Sequence, residues 1–274
     1  MKKYFGKFAS SGDVQTALDS GALSKPYVAV VGASMDYDSK EIDYASMPLT
    51  FEILSGGTIG WKCDANGTTY SKTIEYSKNG GSWVSITSTK NDYPSIDVVV
   101  GDIIQFRGDN IGYGVENWSD RKSHFVATAK FNVFGNIMSM ITSTGYKTAT
   151  TLTAAVAFEG LFSGIGVIGA SNLVLPATTL SKECYSNMFG GCTSLTTAPV
   201  LPATSLSNGA YLSMFYNCQN LNYIKCLATD LSANSCTRFW VYDVSATGTF
   251  VKKAGVEWPS GNDGIPNGWT VIEE

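Results

Sequence analysis

A mainly β fold with short helices (α+β) is what this sequence predicts, from its composition, its alternating apolar runs and a repeat near its C-terminus. Charged residues make up only 15% of the 274, while Gly (28), Tyr (14) and Phe (13) stand beside plentiful Ser and Thr. That mixture suits strands and turns better than a helical bundle, which draws on Ala, Leu, Lys and Glu. The middle of the chain alternates apolar and polar residues over short runs, the two-residue period of a half-buried strand. Further on, the sequence returns to itself every 26 residues. The expected organisation is a lead segment (1–46) for docking, an antiparallel β-sandwich-like domain (47–141), a short repeat stack (142–226) and a C-terminal β cap (227–274).

In the lead segment, Ser11 to Gly21 reads as one short helix. Ser11 or Asp13 can cap it, Val14, Ala17 and Leu18 share a face, and Gly21 supplies the stop. Pro26 to Val31 then reads as an apolar strand. So short a helix is not stable alone, so it packs either within the chain or on a partner; Phe8, Val14, Leu18 and Tyr27 are the candidate docking side chains. In the β domain, Leu49–Leu54 and Thr73–Ser77 alternate, and Asn79-Gly80 between Tyr76 and Trp83 is the strongest short hairpin signal. Ile96–Val100 meets a turn at Gly101-Asp102 and resumes as Ile103–Arg107; Phe125 to Phe134 alternates again. The stretch from Gly108 to Ser123 is a polar, Gly-rich and aromatic interruption of the kind that carries binding. Tyr113, Trp118 and Arg121 are its candidate contact residues, unless Trp118 folds down over the end of the sheets.

Leu175-Pro176-Ala177-Thr178-Thr179-Leu180-Ser181 returns as Leu201-Pro202-Ala203-Thr204-Ser205-Leu206-Ser207, and Tyr185, Met188, Phe189, Cys192 and Leu195 return as Tyr211, Met214, Phe215, Cys218 and Leu221. Eleven of 26 positions are identical, and a period in the 20s with fixed Leu positions marks a leucine-rich repeat. Thr178 or Thr179 is expected to cap a short helix bearing Leu180, Cys184 and Met188 on one face, ended by Gly190-Gly191. Leu195–Ala198 is expected as a strand, with Pro199 and Pro202 closing the turn. Frayed copies flank the two clear ones. After Cys236 the pattern dissolves into strand pieces at 239–241, 249–251 and 269–272, the cap such a stack needs.

The six cysteines contain no CxxC, and Cys192 and Cys218 share a repeat position, so free buried thiols are expected over disulfides or zinc. No metal and no cofactor are expected. The net charge of −4 argues against nucleic-acid binding. No run approaches the ~20 apolar residues of a membrane span, and the first residues lack the core of a secretory signal, which argues for synthesis in a cytoplasm without membrane insertion. A single His, His124, and no nucleophile motif argue against an enzyme.

The run from Leu175 to Pro199 closely resembles BspA-like leucine-rich repeats, found in gut Bacteroidales and their phages. The ending, from Ala228-Thr229-Asp230-Leu231 through Gly248-Thr249-Phe250-Val251 to Ile265-Pro266-Asn267-Gly268-Trp269, looks like that family's usual terminus. The lead segment, Phe8 to Leu18 and Lys25 to Ala29, looks like the N-termini of virion proteins from Bacteroides and crAss-like phages, and Phe131 to Ser139 is similar to modules found between these parts. The resemblance implies a phage structural protein of head- or tail-fibre type, made in the host cytoplasm and located in the virion. Residues 1–46 would dock on capsid or tail proteins, the distal parts would meet a host-surface glycan or protein, and the assembly would be a homotrimer. It carries over no catalytic residues. The alternative is a bacterial cell-surface adhesin or glycan-binding protein, in which Trp240, Trp258 or Trp269 stacks on sugar rings unless each lies in the core.

Overall fold

The computed structural model describes residues 6–8, 29–31, 42–64, 72–88, 93–116 and 118–274. The chain forms two compact units, Met1–Asp43 and Tyr44–Glu274. In the first, β1 (Gly6–Phe8) pairs in parallel with β2 (Ala29–Val31), and β2 falls within the apolar run at 26–31. The helix expected at 11–21 lies outside the described residues, as do Val14, Leu18, Tyr27 and the side chain of Phe8.

The second unit is mainly β. Its first part holds β3 (Leu49–Ser55), β4 (Gly57–Cys63), β5 (Thr73–Lys78), β6 (Val84–Thr87), β7 (Ser95–Val98), β8 (Ile103–Arg107), β9 (Gly114–Val115), β10 (Trp118–Ala127) and β11 (Lys130–Asn136). Strands β7-β4-β10-β9 form one sheet, while β11-β3-β8-β5-β6 belong to another. Alternation sends the large residues of both sheets inward, so that Phe51 of β3 and Phe106 of β8 lie 4.9 and 4.7 Å from Phe125 of β10. Asn79 and Gly80 both take left-handed backbone (φ 53° and 73°), the conformation a tight turn demands and these residues tolerate. The alternating run expected from Phe125 to Phe134 is two strands, because the chain passes from one sheet to the other at Thr128-Ala129.

Strands β12 (Gly166–Val174), β13 (Thr197–Leu201), β14 (Tyr223–Cys226), β15 (Thr249–Lys252) and β16 (Thr270–Glu273) pair in parallel, each with the next, and β12 pairs in parallel with β11. One ten-stranded sheet therefore runs from β16 to β6. Pro199 lies inside β13 instead of closing a turn. The register slips between Thr197 and Val200, and a proline without an N–H is tolerated at such a bulge.

The short helix expected in each repeat is absent; among the described residues the helices are two 3-10 turns, Tyr44–Ser46 and Ile137–Met140. In its place the far side of every coil is a chain of turns. Left-handed residues recur every four positions: Val156, Gly160 and Gly164, then Glu183, Asn187 and Gly191, then Gly209, Ser213 and Asn217, then Ser235, Phe239 and Asp243. Each one breaks the helical path. Alternate amides then bond to the next coil (Tyr185 to Ala210, Asn187 to Leu212, Phe189 to Met214), while those between them bond three residues back (Ser186 to Glu183, Met188 to Tyr185). Every backbone donor from Tyr185 to Cys192 is thereby satisfied within the coil or by the next one. Side chains follow in pairs, two in and two out: Cys184 and Tyr185, then Met188 and Phe189, point to the core.

This turn ladder continues where the sequence pattern dissolves. Phe239-Trp240-Val241, expected as a strand piece, belongs to the turns of a further coil, and β15 and β16 extend the parallel ladder. Backbone pairing constrains only what faces inward, and Trp240 fills the place of Met188 and Met214. The core runs unbroken from Leu49 to Trp269.

Two columns of stacked rings run through it. One passes from Tyr113 through Phe158, Tyr185 and Tyr211 to Trp240; the other passes from Phe125 through Phe162, Phe189 and Phe215 to the same Trp240, at centroid steps of 5.2 to 6.2 Å. The backbone amides of Tyr113 and Phe125 also donate to the carbonyls of Ala157 and Leu161 in the first coil, so the β domain closes both the strand ladder and the turn ladder at this end. All six cysteines are buried, and Cys184, Cys192, Cys218, Cys226 and Cys236 are free thiols. Cys192 and Cys218 donate their thiols to the carbonyls of Phe162 and Phe189, one coil earlier.

The covered first coil holds Glu159, whose carboxyl burial pushes up from 4.5 to about 6 against the pull of Lys122, with Glu183 adding to the rise. A carboxyl raised on folding binds more protons folded than unfolded, so its stabilising contribution is present below about pH 4.5 and lost as pH climbs through about 6. Glu159→Gln is therefore expected to stabilise the protein by about 1–2 kcal/mol near pH 8 and by nothing near pH 4.5, read by chemical unfolding at the two pH values.

Candidate functional site

The loop that opens at Gly108 is tied down from Asp109 to Tyr113. Asp109 accepts from the amide and hydroxyl of Ser143, and Asn110 donates to the Thr73 carbonyl at 2.8 Å. Tyr113, expected at a contact surface, has no exposed area; its hydroxyl donates to the Met140 carbonyl and its ring lies edge-on to Trp61 at 5.4 Å. The reason is its place as the first ring of a core column, which the sequence pattern did not reveal. Trp118 and Arg121 lie in β10, and their side chains are outside the described residues. Among its described side chains, Asp109, Glu116 and the apolar Ile111, at 72%, are exposed.

Trp240, Trp258 and Trp269 are core residues at 0%, 9% and 7% exposure. The Trp240 and Trp269 indoles donate to the carbonyls of Gly264 and Ser245, so none of the three is a free sugar platform. The thiols of Cys184, Cys192 and Cys226 are pushed up to about 12 by burial, and a thiol so held is inert as a nucleophile. His124 sits against Asp64, with Nε2 2.9 Å from its carboxylate, beside Lys62. Burial pulls the imidazole below its ordinary value despite that carboxylate.

The two-in, two-out order of the turns gathers a different set of side chains. The pairs between the core pairs are Ser186-Asn187 and Gly190-Gly191 in one coil, where Ser186 and Gly190 are still buried, Leu212-Ser213 and Tyr216-Asn217 in the next, and Arg238-Phe239 and Tyr242-Asp243 in the one after. Small and polar groups thus give way to rings towards the C-terminal end. Tyr216 and Tyr242 stack at 4.9 Å with planes 11° apart, and Phe239 stands edge-on to Tyr242 at 6.4 Å. Arg238 lies over Phe239 at 5.1 Å. These rings are 36–41% exposed, against single-digit values for the tryptophans. Gln219 donates to Asp243 at 2.9 Å, and Asp263 accepts from the Phe239 amide. Beyond Arg238 an open cleft of about 460 Å³ is lined by Leu231, Cys236, Glu257 and Asp263 among others.

Phe239 holds a backbone φ of 53°, a conformation that costs a bulky L-residue roughly 1–2 kcal/mol. Its counterpart one coil up from Ser213 is Asn187, a residue that tolerates this conformation. An exposed ring kept at a strained position points to use at the surface rather than to packing. Phe239→Asn is expected to leave the melting temperature unchanged or raise it, by up to about 1 kcal/mol of stability, while removing a ring from the patch. Reading the turns as a helix hid this surface, because a helical face mixes inward and outward pairs. The signal was legible in the 26-residue offset from Gly190 to Tyr216 to Tyr242.

No known protein family, curated protein or solved structure matches the chain. No helix among the described residues is long and apolar enough to cross a membrane.

Proposed function

We propose that this chain is a phage virion structural protein of head- or tail-fibre type, anchored through residues 1–46 to capsid or tail proteins and displaying its distal part for attachment to the host surface. In this reading the antiparallel part is a β-sandwich-like domain, and the coils are a short BspA-like leucine-rich-repeat solenoid closed at one end by that domain. The working assembly is a homotrimer, and the chain acts by binding, without catalysis. The observation that carries the reading is the stack itself. Its turn face is covered at the β-domain end, where Lys122 meets Glu159 and Gly160, and is open and aromatic at the other. A continuous core with two ring columns stiffens a display element of this kind, and exposed aromatic and Arg side chains dominate recognition surfaces.

The test is location. Phage particles purified from a lysate of cells carrying the gene are expected to contain the chain by mass spectrometry and to bind gold-labelled antibody against it. Absence from particles together with labelling of the bacterial surface would replace this reading with that of a surface adhesin.

A further inference from the structure

We infer that the open turn face of the last coils is a carbohydrate-binding site that takes a neutral pyranose with its C–H face on Tyr216. The step in the surface specifies the shape. Tyr242 is covered on one side by Tyr216, but the position one coil before Tyr216 is Gly190, so the outer ring ladder ends there. There Asn187 folds back over Gly190 and donates to the Ser163 hydroxyl at 3.2 Å, so a flat amide lies where the next ring would stand. The bare part is the neighbouring column, that of Asn217: a side chain on Gly164 would meet nothing within 4 Å, and one on Gly191 would meet only the backbone of Gly164, at 3.5 Å. A flat group resting on this shelf, the Asn187 amide and the bare glycine column beside it, lies against the side of Tyr216 that Tyr242 leaves uncovered.

The chemistry of the rim selects a sugar. The axial C–H groups of a pyranose carry slight positive charge and suit the negative face of an aromatic ring, while its equatorial hydroxyls need planar amide and carboxylate partners around them. Asn187, with its Nδ2 given to the Ser163 hydroxyl, sets its amide in the floor of the shelf over Gly190. Gln219 and Asp243, held to each other at 2.9 Å, set an amide and a carboxylate on its flank. Arg238 and Asp243 oppose each other in sign along the edge, which fits an uncharged ligand better than a polyanion. The rings are rigid, so ordering them on binding costs little. Phe239 and the cleft beside Arg238 extend the surface for neighbouring units of a chain.

The inference rests on the attachment reading only for its biological setting, and its test is separate. The full chain is run by affinity electrophoresis through gels containing yeast mannan, oat β-glucan, galactomannan, arabinoxylan or dextran. Binding of the labelled chain to host cells is measured in parallel. Retardation is expected in at least one polysaccharide, weakened about tenfold or more by Tyr216→Ala and by Tyr242→Ala. The pair Val99→Ser and Val100→Ser, on an exposed turn of the β domain, is expected to leave it unchanged. Thermal unfolding verifies that the variants fold. No retardation in any gel, or retardation equal in the tyrosine variants, overturns the site. If cells still bind the chain when the gels fail, attachment stands on a protein partner. If the gels succeed while particles lack the chain, the site stands and the virion reading falls.

Discussion

Phe51→Ala is expected to destabilise the whole Tyr44–Glu274 unit by about 3–5 kcal/mol, the range for removing a buried aromatic from a packed core. Phe51 has no exposed area. Its ring stacks on Phe131 at 4.3 Å and meets Phe106, Phe125 and Phe162 at 4.8, 4.9 and 5.9 Å. Those partners belong to the long sheet, to the four-stranded sheet and to the first coil, so one cavity touches all three. The loss is expected as a single denaturant transition, shifted as a whole and with its slope kept. Two transitions, one moved and one fixed, would mean that the antiparallel part and the coils unfold independently.

Trp240→Ala is expected to cost a similar 3–5 kcal/mol but to act locally. Both ring columns end on Trp240, which also stacks on Trp258 at 5.5 Å and meets Phe250 at 6.0 Å. Its indole N–H satisfies the Gly264 carbonyl at 2.8 Å, a partner left buried and unpaired in the variant, which adds to the cost. In a stack, each coil leans only on its neighbours. Hydrogen exchange should therefore quicken in β15, β16 and the turns from Ser235 to Asp243, while the amides of β3 and β8 keep their protection. Trp240→Phe, which keeps a ring at the junction, should recover a large part of the loss.

The strands of the β domain were legible where apolar and polar residues alternate; Leu49–Leu54 and Thr73–Ser77 fall within β3 and β5, although Thr50 and Glu52 of β3 are buried along with its apolar face. The Asn79-Gly80 turn was legible because few residues accept its backbone. The repeat was legible as a period but not as a path. A spacing of four between Leu180, Cys184 and Met188 fits a helix face, and it equally fits turns that reset every fourth residue at Glu183 and Asn187. Nothing in a glutamate or a serine announces a left-handed backbone, because the inter-coil hydrogen bonds that enforce it are contacts far apart in sequence. The tail was hidden for the converse reason. A parallel ladder asks for backbone groups alone, so Thr249–Lys252 and Thr270–Glu273 pair without repeating the Leu-Pro-Ala-Thr element. Tyr113 looked like a contact residue because its loop is polar, while the ring column that claims it is assembled from Phe158, Tyr185 and Tyr211. The outer patch of Tyr216, Phe239 and Tyr242 emerged only once the turns fixed which positions face out.

The proposed host attachment through that open turn face is tested most directly by competition for adsorption. Host cells saturated with the purified wild-type chain are predicted to adsorb the phage at least tenfold more slowly, whereas the folded Tyr216→Ala, Tyr242→Ala double variant, lacking the exposed rings, leaves adsorption at its normal rate. An adsorption rate unmoved by the wild-type chain, or slowed equally by the double variant, would contradict it.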